Sequence, residues 1–256
     1  MKAAIVTGGS SGIGRAVAVA LASDGFDVAI TTRANIRGAE ETCRRVRAEG
    51  RRAVWAQLDL ADPEAADAVV GELWQALDGA SVLVNNAGAN RRMHALEESI
   101  ADVREILDVN LVGAFACAQS HARRLIECGS EGAIVNITSV LAHAPLRAAG
   151  AYCASKAALE MLTRVLALEW AAHGIRVNAV APGHTVTPMN FADESLTAER
   201  VARPQIPVGR PAAPEEVAAA VAFLAGASGR YATGASLTVD GGLLLVAGPT
   251  LLEADA

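Results

Sequence analysis

Short apolar runs alternate with longer segments of helical periodicity along most of the chain. The runs cover residues 3–7, 28–31, 53–58, 82–84, 133–138, 176–181 and 235–239. Because successive positions in them are apolar, they are typical of strands that are covered on both faces, as in a parallel sheet. Their regular alternation with helices predicts an α/β fold with helices on both faces of the sheet. Right-handed crossovers favour the doubly wound Rossmann topology, here with seven parallel strands.

No repeat, low-complexity tract or linker interrupts this alternation, and 256 residues suit one α/β domain. We therefore expect a single domain over residues 1–256. The proline-rich stretch 182–214 is the longest segment without a regular pattern, and long loops in compact domains are commonly functional. Residues 184–214 are predicted to form a mobile lid over a substrate.

The first strand leads into a glycine-rich turn and then into an alanine-rich helix. Glycine permits positive φ and close approach of the backbone to a ligand, and a helix N-terminus favours an anion such as a pyrophosphate. The spacing of Gly8, Gly12 and Gly14 differs from G-x-G-x-x-G and lacks a P-loop lysine, which favours a dinucleotide over a nucleoside triphosphate. The turn residues predicted to bind the cofactor are Gly8, Ser10, Ser11, Gly12, Ile13 and Gly14.

The end of the second strand bears on which dinucleotide binds. In this architecture an acidic residue there commonly binds the ribose of NAD, whereas a basic residue accommodates the 2′-phosphate of NADP. This chain has Thr31, Thr32 and Arg33 and no acid at this point. We predict NADP(H), with Arg33 at its 2′-phosphate. NAD(H) stays open, because an arginine after a strand is often only a solvated charge.

Polar residues also follow the third and fourth strands. Asp59, beside Leu60, is predicted to accept a hydrogen bond from adenine. Helix capping is the alternative role, for which Asp62 is the better candidate. The floor of the cofactor cleft is predicted at Asn86, Ala87 and Gly88.

Ser139, Tyr152 and Lys156 are the candidates for chemistry. Ser139 follows the fifth strand, and the four-residue spacing of Tyr152 and Lys156 places both side chains on one helix face. A nearby cation is expected to lower the pKa of a phenol from about 10, so that the phenol can exchange a proton with a carbonyl or alcohol oxygen. Asn110 is a poor helix-interior residue, which predicts a helix irregularity, a buried water or both.

The composition of the chain limits which classes of binding partner are expected. With 22 basic and 28 acidic side chains the net charge is −6, which argues against nucleic acid or an anionic membrane as the main partner. There is no apolar run of membrane-spanning length and no signal-peptide pattern. The four cysteines and five histidines lack metal-ligand spacing, so we expect a cytoplasmic protein without a bound metal.

These motifs together resemble the short-chain dehydrogenase/reductase family over essentially the whole chain. The matching positions, in the family's order, are Thr7-Gly8-x3-Gly12-x-Gly14, Asn85-Asn86-Ala87-Gly88, Asn110, Ser139, Tyr152-x3-Lys156, Arg176 to Gly183 and Asp240-Gly241-Gly242. Segments 136–140 and 187–190 also resemble, more weakly, a branch that acts on small diketones or sugars.

The resemblance implies a role for each candidate residue. Tyr152 would be the general acid/base and Ser139 would bind the substrate carbonyl. Lys156 would bind the nicotinamide ribose and acidify Tyr152, and Asn110 would hold a water in the proton relay. The loop beside the nicotinamide and phosphates would comprise Pro182, Gly183 and Thr185. A homotetramer, or a homodimer, is also implied.

We therefore expect an NADP(H)-dependent oxidoreductase that interconverts a ketone, such as a diketone or sugar carbonyl, and a secondary alcohol. The alternatives are a 3-oxoacyl thioester reductase of the same family and a non-catalytic NADP(H) sensor or scaffold. The substrate pocket is predicted to be apolar, with few fixed charges, at Leu141, Met189 and Phe191. Near it, Arg91, Arg92 and His94 are interpreted as a solvated charge cluster rather than a site for an anionic substrate, and His143 and His184 as residues bordering the pocket.

Overall fold

In the computed structural model, residues 2–189 and 206–246 are described. Seven parallel strands form one sheet with the order β3-β2-β1-β4-β5-β6-β7. Each of the seven predicted runs is a strand, with ends that differ from the prediction by at most one residue. The strands are β1 Ala3–Val6, β2 Asp27–Thr32, β3 Ala53–Gln57, β4 Val82–Asn85, β5 Gly132–Ile137, β6 Ile175–Pro182 and β7 Ser236–Val239.

Helices connect successive strands, as the alternation predicts. They are α1 Gly12–Ser23, α2 Ile36–Ala48, α3 Ala65–Ala76, α4 Ile100–Leu107, α5 Gly113–Glu127, α6 Gly150–Trp170 and α7 Pro214–Ala225. A π-helical turn, Asp108–Val112, joins α4 to α5. No helix in the described ranges is long and apolar enough to cross a membrane.

The sheet separates two apolar cores. Successive residues of β1 face opposite sides, because strand side chains alternate: Ile5 packs with α3 and α5, whereas Val6 packs with α1, α2 and α7. Both side chains are fully buried, and truncation of either to alanine is expected to cost about 2–5 kcal/mol. The predicted doubly wound α/β architecture is therefore confirmed.

A side chain caps the N-terminus of α2, and one capping prediction of the sequence analysis needs correction. Asn35 Oδ1 accepts from Gly38 N at 3.0 Å at the start of α2. The prediction that Asp62 caps the next helix is wrong, because α3 begins only at Ala65. The chain first makes a tight turn in which Asp59 Oδ1 accepts from Ala61 N at 3.0 Å, and this delays the helix start.

Several predictions involve residues beyond the described ranges. Phe191 and the greater part of the predicted lid, residues 190–205, lie outside them. The single domain over residues 1–256 stays a prediction.

Candidate active site

A cleft of about 670 Å³ lies at the carboxyl ends of the strands. This is where open α/β sheets bind ligands, because loops from adjacent strands diverge there. All the residues predicted to bind the cofactor line it, together with three of the four predicted catalytic residues. The predicted residues in its wall are Gly8, Ser10, Ser11, Gly12, Ile13, Gly14, Arg33, Asp59, Leu60, Asn86, Ala87, Gly88, Ser139, Tyr152, Lys156, Pro182, Gly183 and Thr185.

The glycine turn needs its glycines for two separate reasons. Gly8 and Gly12 have φ of +65° and +51°, in the left-handed region. A Cβ on Gly8 would also lie 2.9 Å from Ala87 Cα, so the turn packs directly on the end of β4. Asn86 holds these parts together, since its Nδ2 donates to Thr7 O at 2.9 Å and to Gly8 O at 3.1 Å. Asn86, which was predicted at the floor of the cleft, therefore stabilises the glycine turn.

The start of α1 is suited to an anion. Ser11 precedes the helix with extended backbone, and its side chain makes no capping hydrogen bond to any described residue. Ser11, Gly12 and Ile13 line the cleft, so the first turn of a 12-residue helix presents its amides and positive dipole end there. The geometry fits the pyrophosphate of a dinucleotide.

Arg15, Arg33 and Arg37 are the arginines closest in sequence to the two ends of this part of the site. Only Arg33 of these three lines the cleft. Arg33 is an exposed side chain at its rim. Arg15 is turned away, because its guanidinium donates to Ser10 O at 2.5 Å and to Thr42 Oγ1 at 3.0 Å. Asn35, the N-cap of α2, also lines the cleft and was not identified from the sequence.

Tyr152 and Lys156 lie one turn apart on α6, as the spacing predicts. Lys156 is only 4% exposed, and its Nζ donates to Ile137 O at 2.8 Å. The same Nζ lies 5.8 Å from the centroid of the Tyr152 ring. Ser139, 7% exposed, is placed at the end of β5, where its Oγ accepts from Leu141 N at 3.1 Å. The three side chains converge on one part of the cleft.

The pKa of the Tyr152 phenol differs in direction from the sequence prediction. Burial raises it above its ordinary value, while a hydrogen bond with Ser139 and the charge of Arg92 act the other way. The predicted lowering by Lys156 is therefore wrong as the net effect. Burial also lowers the pKa of Lys156 to about 8. At neutral pH the phenol is thus protonated and available to donate a proton.

Asn110 lies behind the cleft wall, not in it. It sits within the π-helical turn, so the predicted helix irregularity is present. Its Nδ2 donates to Ala89 O at 2.9 Å and to Ser155 Oγ at 3.0 Å. Ser155 Oγ in turn donates to Tyr152 O at 2.7 Å. Asn110 therefore connects the loop after β4 to the helix that carries Tyr152, and Ser155 is a supporting residue that the sequence analysis missed.

The far end of the cleft is less uniformly apolar than predicted. Leu141 and Met189 line it, as expected. The expectation of few fixed charges is wrong, since Arg91, Arg92 and Glu105 line it too. These charged residues lie on α4 and in the loop before it. The strand pattern alone does not predict that this helix borders the cleft.

The two histidines predicted to border the pocket differ. His184 lines the cleft. His143 is not among the lining residues; its Nε2 lies 3.0 Å from Oε2 of the buried Glu160 on α6. Of the two, only His184 is placed to contact a substrate directly.

The chain is similar to known proteins over most of its length. The protein family described as enoyl-(acyl carrier protein) reductase has a sequence model that matches residues 8–244. The uncharacterized oxidoreductase YohF of Escherichia coli K12 is 45% identical over 245 residues, which cover 95% of this chain and 96% of YohF.

Solved structures are similar over the same extent. Acetoin dehydrogenase from Enterobacter cloacae is 46% identical with a TM-score of 0.89, covering 96% of each chain. A short chain dehydrogenase from Burkholderia cenocepacia J2315 in complex with NADP is 39% identical with a TM-score of 0.88, covering 95% of this chain and 98% of the other. Fold and sequence are thus shared over nearly the whole length.

Proposed function

Because the chain belongs to the short-chain dehydrogenase/reductase family, we propose that it interconverts a ketone and a secondary alcohol with NADP(H), using Tyr152 as the acid/base. Members of this family are NAD(P)-dependent oxidoreductases that act on alcohol and ketone groups. The observation that carries the proposal is the convergence of Ser139, Tyr152 and Lys156 on the cleft whose other end is the glycine turn.

The cofactor would lie along the cleft with its pyrophosphate at the N-terminus of α1. Arg33 would bind the 2′-phosphate and Asp59 the adenine, while Lys156 would bind the nicotinamide ribose. The relative from Burkholderia cenocepacia, which was solved with NADP, supports the choice of NADP(H) over NAD(H). When bound, this cofactor supplies or accepts the hydride. The nicotinamide end would be bordered by Pro182, Gly183 and Thr185.

The protein's part in the reduction is to orient the carbonyl and to supply a proton. Ser139 would donate a hydrogen bond to the carbonyl oxygen, and Tyr152 would donate its proton as negative charge develops there. The raised pKa of Tyr152 keeps the phenol protonated before the step. The ammonium of Lys156, near the ring, would stabilise the phenolate that forms. Alcohol oxidation would run through the reverse steps.

The similarity to acetoin dehydrogenase favours small hydroxyketones and diketones among the candidate substrates. A sugar carbonyl or a 3-oxoacyl thioester remains an alternative within the same chemistry. A non-catalytic NADP(H) sensor is disfavoured, because such a protein gains nothing from a serine, a tyrosine and a lysine directed at one point of the cleft.

The proposal is tested with Tyr152→Phe. Wild-type protein and variant are assayed with NADPH and a panel of acetoin, diacetyl and simple ketones, followed at the nicotinamide absorbance. We expect kcat/KM to fall by about 10²–10⁴-fold, with the Kd for NADPH unchanged. The matched control is Tyr231→Phe, which alters the other tyrosine, a fully exposed residue outside the cleft. Equal turnover by Tyr152→Phe, or no turnover of any carbonyl by the wild type, would overturn the proposal.

A further inference from the structure

Among the described residues, the substrate end of the cleft has one arginine that forms no ion pair. Arg91 and Arg92 are adjacent and both line the cleft. Arg91 is neutralised, because its guanidinium forms ion pairs with Asp102 and with Glu105, the latter at 3.5 Å. Arg92 has a different environment: its Nη1 donates to Arg147 O at 3.4 Å, and within residues 2–189 and 206–246 it forms no ion pair with a carboxylate. The charge of Arg92 is therefore available to a ligand.

A second unpaired polar group lines the same region. Nε2 of His184 is buried and has no hydrogen-bond partner among the described residues. Burial lowers the pKa of His184, so at neutral pH the ring is uncharged and carries one N–H. A buried nitrogen without a partner costs free energy unless a ligand supplies that partner. His184 thus offers one neutral hydrogen-bonding group to an occupant of the cleft.

Arg92 and His184 line the same cleft as Ser139 and Tyr152. The charge of Arg92 lowers the pKa of both Tyr152 and His184, so its guanidinium lies within electrostatic reach of each. The other cation at this end, Lys156, is buried and donates to Ile137 O. Because all four residues line one cleft, Arg92 and His184 are candidates to contact a molecule whose carbonyl lies at Ser139 and Tyr152.

We propose that the substrate carries a carboxylate beside its reacting carbonyl or alcohol, and that Arg92 and His184 bind this carboxylate. The inference rests on the proposed function and narrows its substrate class to oxo and hydroxy acids. A guanidinium binds planar oxyanions through paired N–H groups. Arg92 brings one positive charge, which matches the single charge of a carboxylate better than the near-double charge of a phosphate monoester.

Turnover tests the proposal with pairs that differ only in charge. The probes are 2-, 3-, 4- and 5-oxo acids of short chain length, each with its methyl ester and with the matching oxoalkyl phosphate. With NADPH, we expect the best acid to exceed its ester in kcat/KM by about tenfold or more, a preference that falls as ionic strength rises. Arg92→Gln is expected to remove this preference, and His184→Phe to reduce it. Arg104→Gln, which removes an exposed arginine of α4 that does not line the cleft, should leave the acid-to-ester ratio within about twofold.

Binding provides a readout that does not depend on turnover. Acids and esters are titrated calorimetrically into NADPH-loaded Tyr152→Phe protein, with and without Arg92→Gln. Tighter binding of the acid that disappears with Arg92→Gln supports the carboxylate site, even if the wild type proves inactive and the proposed function fails. Turnover of neutral ketones with equal binding of acid and ester would overturn the carboxylate site and leave the proposed function standing. A preference for the phosphate probe over the acid would also overturn it.

Discussion

The side chain of Asn110 pairs with the backbone of Ala89 in both directions. Asn110 Oδ1 accepts from Ala89 N at 2.7 Å, and Asn110 Nδ2 donates to Ala89 O at 2.9 Å. The side-chain amide of Asn110 thus makes the two hydrogen bonds that a neighbouring strand would make with Ala89 in a sheet. The other partner of Asn110, Ser155, lies on the helix that carries Tyr152, so one side chain joins this loop to the catalytic helix.

The first prediction concerns this pairing. Asn110→Ala leaves the N–H and C=O of Ala89 without their partner, and we expect a loss of about 1–3 kcal/mol in the free energy of unfolding, together with lower kcat/KM. Ser155→Ala keeps the Asn110–Ala89 pair and is expected to cost less stability. Urea denaturation and steady-state kinetics measure both effects. Wild-type stability and kcat/KM in Asn110→Ala would contradict this account of the loop.

The second prediction concerns cofactor choice. Arg33 lines the cleft at the end of β2, whereas Arg37, on α2, does not. We expect Arg33→Ala to lower the ratio of kcat/KM with NADPH to kcat/KM with NADH by about tenfold or more, because a charge-assisted contact to the 2′-phosphate is lost. Arg37→Ala is the matched control and should leave the ratio nearly unchanged. An unaltered ratio in Arg33→Ala would show that Arg33 is a solvated charge.

The third prediction is a pH dependence of stability that arises from Lys156. Its pKa is about 8 in the folded protein and 10.5 as a free side chain, so between these pH values the unfolded chain binds the additional proton. Lys156 therefore makes the wild type more stable as pH rises through this window. In Lys156→Met this gain is absent, and the Tm of the wild type relative to the variant should increase from about pH 7.5 to about pH 10.

Lys2→Met is the control for that experiment, since Lys2 is exposed and is the only other lysine in the sequence. Thermal melts followed by circular dichroism give the Tm values. A Tm difference between wild type and Lys156→Met that is independent of pH would mean that the ammonium is not buried in the free protein.

The fourth prediction concerns acid stability and His121, which lies on α5 away from the cleft. His121 is 0% exposed, and its ring packs edge-on against Trp74 at 5.2 Å. Neither ring nitrogen has a partner among the described residues, and burial lowers the pKa of His121 to about 3. The unfolded chain takes up a proton near pH 6.5, so this residue destabilises the fold progressively as pH falls below that value.

Replacement of His121 by leucine should remove this penalty. We expect the free energy of unfolding of His121→Leu relative to the wild type to be about 2 kcal/mol more favourable at about pH 5 than at about pH 7.5. Urea titrations at the two pH values measure the difference. His173→Leu, at an exposed histidine, is the control and should show little change with pH. Parallel behaviour of both variants would disprove the role of burial.

Local sequence patterns predicted most of the fold. A strand covered on both faces needs apolar residues at successive positions, and this requirement is visible at Ile5 and Val6 without knowledge of the partners. The glycine turn was equally recognisable, because positive φ at Gly8 and Gly12 is a backbone demand that few other residues meet. The start of α3 was misplaced, because a turn at Asp59 competes with the helix and both use the same residue types.

The sequence by itself therefore determined the α/β architecture, the family and the serine, tyrosine and lysine that face the cleft, since spacing and strand ends are local properties. The tertiary structure decided how these groups are charged and supported. It showed that burial outweighs the Ser139 hydrogen bond and the charge of Arg92 in setting the pKa of Tyr152, and that Asn110 supports the wall from behind. It also showed that Arg91 forms ion pairs whereas Arg92 forms none within the described ranges. Desolvation and ion pairing depend on neighbours distant along the chain, and only folding brings those neighbours together.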